Sequence, residues 1–409
     1  MFHPSSAARL IITFVAICLF ATAVLHSSSN RNPAVFVDKL LSSGYSDDSN
    51  SNPKSANIPN ELPNKLKHNF EIDFVYDPLA NFSYIPTPAD APLLLGWNKY
   101  ASRSVFNNLD TVKRICPLKC RYTEDKRKEA EASVVVFHLG VDGIDKFPKP
   151  RMNKTTIFLN LESPAHRPVP KTFPSDYFNF TMTYRLDSDF VLPYGHLEEL
   201  EGPDDSDRWS VENVDAAIKK KKLTALIFVS HCETESKREN VIKELSTYIN
   251  VTNYGRCSKK KCPRNTDCEM DEIKNHYFYL AFENSICIDY ITEKFFRFRN
   301  LIVPIVLDRS IFRGAHAALN PYFIAVSDFT SIQALAEHLQ FLIDTPAEYR
   351  KYFSWTDLYK KNFQGAFPPE STCIMCELAW RTKLGHRHSF KGIHSWWNDN
   401  QCKVVLNSS

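Results

Sequence analysis

Short apolar runs recur along this chain, and polar segments of helix length separate them. "APLLLGWN", "ASVVVFHLG" and "TTIFLNLES" come first. After a polar stretch, "GPDDSDRWSVENVDAAIKKKK", the series resumes with "KLTALIFVS", "HYFYLAFEN", "LIVPIVLD" and "YFIAVSDF". Each run is strand-sized and rich in β-branched or aromatic residues, the pattern of parallel strands covered on both faces. The intervening segments carry helical periodicity. Val241, Ile242, Leu245 and Ile249 share one face of 236–249, and "SIQALAEHLQFLI" is amphipathic. Strands alternating with helices build parallel α/β sheets. Two series with a polar break predict two doubly wound domains facing a cleft, with ligands at the carboxyl ends of the strands.

The amino-terminal segment reads differently. Residues 10–25, "LIITFVAICLFATAVL", contain no charge. As a helix they span about 24 Å at ~1.5 Å per residue. That is short of the ~30 Å core of an average bilayer, although thinner early-secretory membranes relax the requirement. With Arg9 before it, this signal-anchor leaves residues 1–9 cytoplasmic and the remainder lumenal. A cleaved signal peptide ending near Ala21-Thr22-Ala23 is the alternative, with the same destination. Residues 26–88 read as a disordered stem, because Ser, Asn and Pro supply 20 of the 38 residues in 27–64 and cannot bury a core. The first domain is then expected over 89–215, the second over 216–365, and a disulfide-containing tail over 366–409.

Two features agree with a lumenal fate. Sequons occur at Asn81, Asn153, Asn179, Asn250 and Asn407. Ten cysteines lie outside the anchor, an even number suited to an oxidising compartment. Cys116 and Cys120, and Cys373 and Cys376, are the close-spaced disulfide candidates. A zinc site would need a second CxxC, and Cys257, Cys262 and Cys268 do not supply that spacing. A formal charge of +3 gives no argument for nucleic acid, and lysines 219–222 read as a solvated linker. There is neither a GxGxxG nor a P-loop.

The strand-end rule selects few residues. Glu162 follows "TIFLNL" and precedes Pro164; it is either a turn glutamate or a general base on a cleft wall. Glu283, Asn284 and Ser285 end the run "HYFYLAF". Asp289 is expected to N-cap a helix with Ile291, Phe295 and Phe298 inward. Lys294 would lie near that helix start, pointing at a bound phosphate or else paired with Glu293 or Glu283. Arg238, after "LIFVS", suits bidentate phosphate contact, or else a salt bridge to Glu235 or Glu239. The D-x-D of "LDSDF", Asp187 and Asp189, could clamp a metal, but its first-domain position favours a structural role.

"FENSICIDYITEK" resembles the signature of the α1,3-fucosyltransferases, glycosyltransferase family 10. "FLNLESPAH", "FNFTMTYRLDSDFVLPYG", "DFTSIQALAEHLQFLIDTPAEYRKYFSW" and "CIMC" extend the resemblance in order from about residue 91 to 376. It implies a GT-B fold, with 89–215 on the acceptor side and GDP-fucose bound by 216–365. It implies inverting transfer of L-fucose to a GlcNAc hydroxyl on glycoprotein glycans, in the Golgi. Glu162 matches the family's base and Arg238 its diphosphate contact. Tyr290, Glu293 and Lys294 match the donor-binding "YxxEK", with Lys294 on phosphate and Glu293 on sugar or ribose; Glu283, Asn284 and Ser285 line the same pocket. No tightly bound cofactor is expected, and manganese or magnesium would at most stimulate. The acceptor is either the innermost GlcNAc of an N-glycan, which the atypical insertion favours, or a Lewis-type or LacdiNAc antenna. An inactive lectin-like or scaffold protein on the same fold is the competing reading, and a transferase of another nucleotide sugar is a third. Three departures stand out: "FFRFRNLIVPIVLD" lacks the family's Ala-Gly pair, "SHC" replaces Ser-Asn-aromatic, and "RCSKKKCPRNTDCEM" is expected to form a disulfide-bonded loop over the cleft.

Overall fold

Two parallel sheets carry the architecture. The computed structural model describes residues 90–100, 103–106, 109–139, 154–171, 173–296, 301–363 and 367–403. The expected anchor, the stem and the sequons Asn81, Asn153 and Asn407 lie outside these. No helix among the described residues is long and apolar enough to cross a membrane.

The first sheet contains β1 (Leu93–Gly96), β2 (Arg121–Thr123), β3 (Ala132–His138), β4 (Thr155–Asn160), β5 (Phe180–Thr183) and β6 (Phe190–Val191), in the order β2-β1-β3-β4-β5-β6. The central β4 is buried at every position, and β3 at all but one. Both faces are covered, which is why these runs are continuous rather than alternating. The second sheet contains β8 (Leu223–Phe228), β9 (Val251–Tyr254), β10 (His276–Leu280), β11 (Val303–Val306) and β12 (Ile324–Ala325), in the order β12-β11-β10-β8-β9. All pairings within both sheets are parallel. β7 (Gly195–Glu199) and β13 (Tyr359–Phe363) belong to neither; they form an antiparallel pair where the chain crosses from one sheet to the other and back. A Cβ on Gly195 would sit 2.5 Å from the Asn362 carbonyl and 2.6 Å from the Phe296 ring, so only glycine permits this crossing.

The helices, in chain order, are α1 (Leu109–Ile115), α2 (Val211–Lys220), α3 (Arg238–Leu245), α4 (Asp267–Asn275), α5 (Glu293–Phe296), α6 (Ile332–Asp344), α7 (Pro346–Lys351), α8 (Pro369–Lys383) and α9 (Ile393–Trp397). The expected helix over "SIQALAEHLQFLI" is α6. Ser331 caps it by accepting from the Ala334 amide, and Leu335, Ala336, Leu339 and Leu342 face the core. The break expected at 215/216 falls inside α2. Lysines 219–222 are not simply a solvated linker: Lys221 is buried and donates 2.8 Å to the His276 carbonyl.

Of residues 366–409, expected as a tail, 367–403 return to the first sheet. Cys373 and Cys376 on α8 bond to Cys116 and Cys120, so each close-spaced cysteine pair is split between two bridges. Trp397 of α9 packs 5.0 Å from the Phe158 ring and donates to the Arg167 carbonyl. Cys402 then bonds to Cys287, next to the "FENSIC" turn. Closing loops this long chiefly restricts the unfolded chain.

Candidate active site

Glu162 lies two residues beyond the end of β4. The Asn160 side chain accepts from the Glu162 amide at 3.0 Å, an Asx turn that directs the carboxylate off the sheet edge. Ser163, fully buried, donates across to Ser285 at 2.7 Å. Tyr290 is buried and donates to Glu162 Oε2 at 3.1 Å. A carboxylate from the first sheet therefore touches a tyrosine following the second. Glu162 is half-buried, and its Oε1 makes no hydrogen bond among the described residues. Tyr194 donates to the Leu161 carbonyl at 2.5 Å and stiffens the same turn. Burial holds the Tyr290 and Tyr194 phenols far above the usual range, so both remain donors.

The turn after β10 forms the opposite wall. Glu283 accepts from the Thr292 amide at 2.8 Å, the Thr292 hydroxyl at 2.8 Å and Lys294 Nζ at 2.9 Å. Lys294 also lies 3.5 Å from Glu293 and keeps a fifth of its side chain exposed. Burial opposes its charge, but the Glu283 and Glu293 carboxylates outweigh that and hold the ammonium above the ordinary lysine range. Of the two readings of Lys294, the structure shows the carboxylate pairing.

Arg238 begins α3, as the sequence suggests, but pairs with neither Glu235 nor Glu239. Its guanidinium donates to the Phe282 carbonyl at 2.7 Å and the His231 carbonyl at 3.0 Å, clamping the loop after β8 to the loop after β10. Ser236 adds a bond to the Glu283 carbonyl, and its amide one to the Asn284 carbonyl. Arg238 Nε, Asn284 Oδ1, Asn160 Nδ2 and Asn253 Oδ1 are buried without partners among the described residues. A buried polar atom left unpaired calls for a partner that a polar ligand can supply. A cavity of about 260 Å³ beside Arg238 is lined by Val229, His231, Ile242 and Asn253 among others.

Asp289 does not cap the expected helix. It adopts φ +60°, a left-handed conformation, and its carboxylate accepts from the Leu186 amide at 3.2 Å in the first half. Helix begins four residues later, at Glu293, and is described as far as Phe296; Phe298 lies outside the described residues. Asp187 pairs with Arg185, and Asp189 accepts from the Thr181 amide and hydroxyl, so both carboxylates of the D-x-D have structural partners. No group of metal-ligating side chains occurs among the described residues.

The insertion is doubly bridged, Cys232 to Cys257 and Cys262 to Cys268. It carries Arg264 to 4.0 Å from Glu293, over the pocket wall. Arg264 had no local signal beyond lying in an insertion. Thr292 and Ser163 were missed too, although each lies inside a motif already singled out. Of the described sequons, Asn250 is exposed, whereas the Asn179 amide nitrogen is bonded at 2.7 Å to the His388 carbonyl.

Two family models match the chain: "Fucosyltransferase, N-terminal" over residues 89–195 and "Glycosyltransferase family 10 (fucosyltransferase) C-term" over 218–396. A human 4-galactosyl-N-acetylglucosaminide 3-alpha-L-fucosyltransferase, FUT6, is 32% identical over 326 residues, covering 76% of this chain and 84% of that protein. The chain belongs to glycosyltransferase family 10. Other family-10 relatives are alpha-(1,3)-fucosyltransferase fut-1 of Caenorhabditis elegans, 33% identical over 310 residues, and alpha-(1,3)-fucosyltransferase C of Drosophila melanogaster, 32% over 266. These alignments cover 72% and 61% of this chain, which spans 66% of the nematode protein's length and 60% of the fly protein's. A crystal structure of an alpha1,3-fucosyltransferase with GDP-fucose overlaps loosely, with TM-score 0.45 at 13% identity over 74% of this chain and 94% of that one.

Proposed function

We propose that this family-10 chain is an inverting α1,3-fucosyltransferase moving L-fucose from GDP-fucose to a GlcNAc hydroxyl on glycoprotein glycans. The observation that carries the reading is the 3.1 Å bond from Tyr290 to Glu162. It joins a carboxylate of the first half to the cationic turn of the second.

Inversion needs a base on the face opposite the leaving group and positive charge for the departing diphosphate. Glu162 takes the acceptor hydroxyl proton through its open oxygen while Tyr290 fixes the other. The acceptor oxygen bonds to the anomeric carbon as the bond to GDP breaks. Lys294, kept charged by Glu283 and Glu293, and Arg238, through its spare Nε, face the diphosphate. Glu293 takes the sugar or ribose, with Asn284 and Ser285 completing the pocket, and the cavity beside Arg238 gives the nucleotide room. Phosphate oxygens would displace carboxylate from Lys294, so the cation is held in reserve rather than consumed. Side chains alone can offset this charge, and manganese or magnesium would then only stimulate. The overall arrangement is read as GT-B, with 89–215 on the acceptor side. Residues 10–25 would anchor the chain as a type II Golgi membrane protein, glycosylated at its lumenal sequons, Asn250 foremost. The acceptor is an N-glycan core GlcNAc or a Lewis-type or LacdiNAc antenna.

Glu162→Gln tests the base. GDP binding should stay within about twofold while transfer falls by roughly 10³-fold or more. Normal turnover would remove Glu162 from the role. Failure of the unaltered chain to release GDP from GDP-fucose with any acceptor on a glycan array would favour the inactive lectin-like alternative.

A further inference from the structure

The two crossing strands border a second cavity that the chemistry above does not use. It measures about 410 Å³, within the ~300–1,000 Å³ range of small-molecule sites. Its lining combines two indoles, Trp209 and Trp355, with Lys361, Arg208, Asn213 and a set of carboxylates.

Those carboxylates gather on one ammonium, that of Lys360. Glu198 accepts from Asn362 at 2.6 Å and lies 3.5 Å from Lys360; Lys360 is also 3.2 Å from Asp205 and 3.7 Å from Asp207. Lys361 is different. It is 6% exposed, and its ammonium lies 4.9 Å from the Trp355 ring centre and 5.9 Å from that of Phe295. Among the described residues it has neither a carboxylate nor a hydrogen-bond partner. Aromatic faces attract a cation but do not neutralise it, and a buried charge is costly until paired. Arg208 donates to the Gly202 and Asp357 carbonyls and pairs with no carboxylate among the described residues. Two cations without a direct carboxylate partner, beside Trp209 and the Asn213 amide, form a recognisable combination. The cations call for an acidic group. The indole presents a negative face to the weakly positive C–H side of a sugar ring, and the amide serves its hydroxyls.

We propose that this crossing cavity binds a saccharide ring bearing an acidic group, with the ring beside Trp209 and the acid between Lys361 and Arg208. A uronate, a phosphorylated sugar and a sulfated sugar share that chemistry. The site is separate from the proposed donor pocket, although Phe295, which contacts Lys361, adjoins Lys294 in sequence.

Calorimetric titration of the full chain, with and without saturating GDP, tests it. Glucuronate, glucose 6-phosphate, glucose 6-sulfate, glucose and inorganic phosphate serve as probes. At least one acidic sugar should bind with one-to-one stoichiometry in both conditions, glucose should not, and Lys361→Met and Arg208→Ala should each weaken binding at least tenfold. Arg208 is exposed, so its variant remains informative if Lys361→Met fails to fold. Absence of saturable binding by every acidic sugar, binding indifferent to Arg208→Ala, or glucose binding equal to the acidic sugars would overturn the proposal. Inorganic phosphate binding as tightly as the best sugar would overturn the saccharide half. Loss of binding with GDP present would show that the ligand occupies the donor pocket instead, which also overturns it.

Discussion

At the residue scale, the site is governed by single hydrogen bonds between halves of the chain. Tyr290→Phe removes one donor from Glu162 and leaves its ring packed 5.0 Å from that of Tyr184. Transfer should drop about tenfold while GDP affinity changes little, a kcat effect visible in steady-state kinetics. His138 makes a second test. It ends β3 and is 3% exposed. Burial pushes its imidazole down to about 4. The unfolded chain therefore binds a proton below about 6.5 that the folded chain refuses. Stability from this residue is complete above 6.5 and drains away as pH falls toward 4. Between pH 7 and 4.5 the unaltered protein should lose ~2–3 kcal/mol more than His138→Leu, read by urea unfolding at each pH. Glu162, Arg238 and Lys294 were read as strand-end residues, and the sequence also offered Glu283 or Glu293 as the partner of Lys294; the structure shows both contacts. The partners of Arg238 and Glu162 were not legible, because the Phe282 and His231 carbonyls and the Tyr290 hydroxyl are brought to them by turns, one of which depends on the left-handed Asp289.

At the scale of elements, strands were easier to find than the turns that carry chemistry. Runs such as "SVVVFH" and "TIFLN" announce themselves because burial on both faces leaves no polar position. The region after Asp289 misled for the opposite reason. Its apolar spacing fits a helix from Asp289, but Asp289 is bonded to Leu186 instead of capping, and helix starts only at Glu293. The disulfide-stapled insertion is the element with most to say about kinetics. It projects Arg264, two-thirds exposed, toward Glu293. Arg264→Ala should raise KM for GDP-fucose a few-fold with kcat nearly unchanged, since an exposed pair of this kind contributes ~1 kcal/mol or less. Equal KM values for the two proteins would place the loop outside donor binding.

At the scale of the whole molecule, the two-sheet plan was readable from alternation alone, and the role of the last forty residues was not. They were expected to form a disulfide-containing tail, yet Trp380 and Trp397 are almost wholly buried, and those two tryptophans were the signal available. Deleting residues 367–409 should strip α8 and α9 from the first sheet and leave Cys116, Cys120 and Cys287 without partners. Export of that truncated chain from the endoplasmic reticulum should collapse, with the retained material showing free thiols on alkylation. The bridge from Cys287 to Cys402 has a bearing on biosynthesis as well. A ribosome releases this chain amino end first, so the turn that holds Cys287 must wait, unlatched, until Cys402 has emerged 115 residues later. Closure is thereby set by the order of synthesis: a nascent polypeptide stalled short of Cys402 would hold an assembled pair of sheets but an open lock.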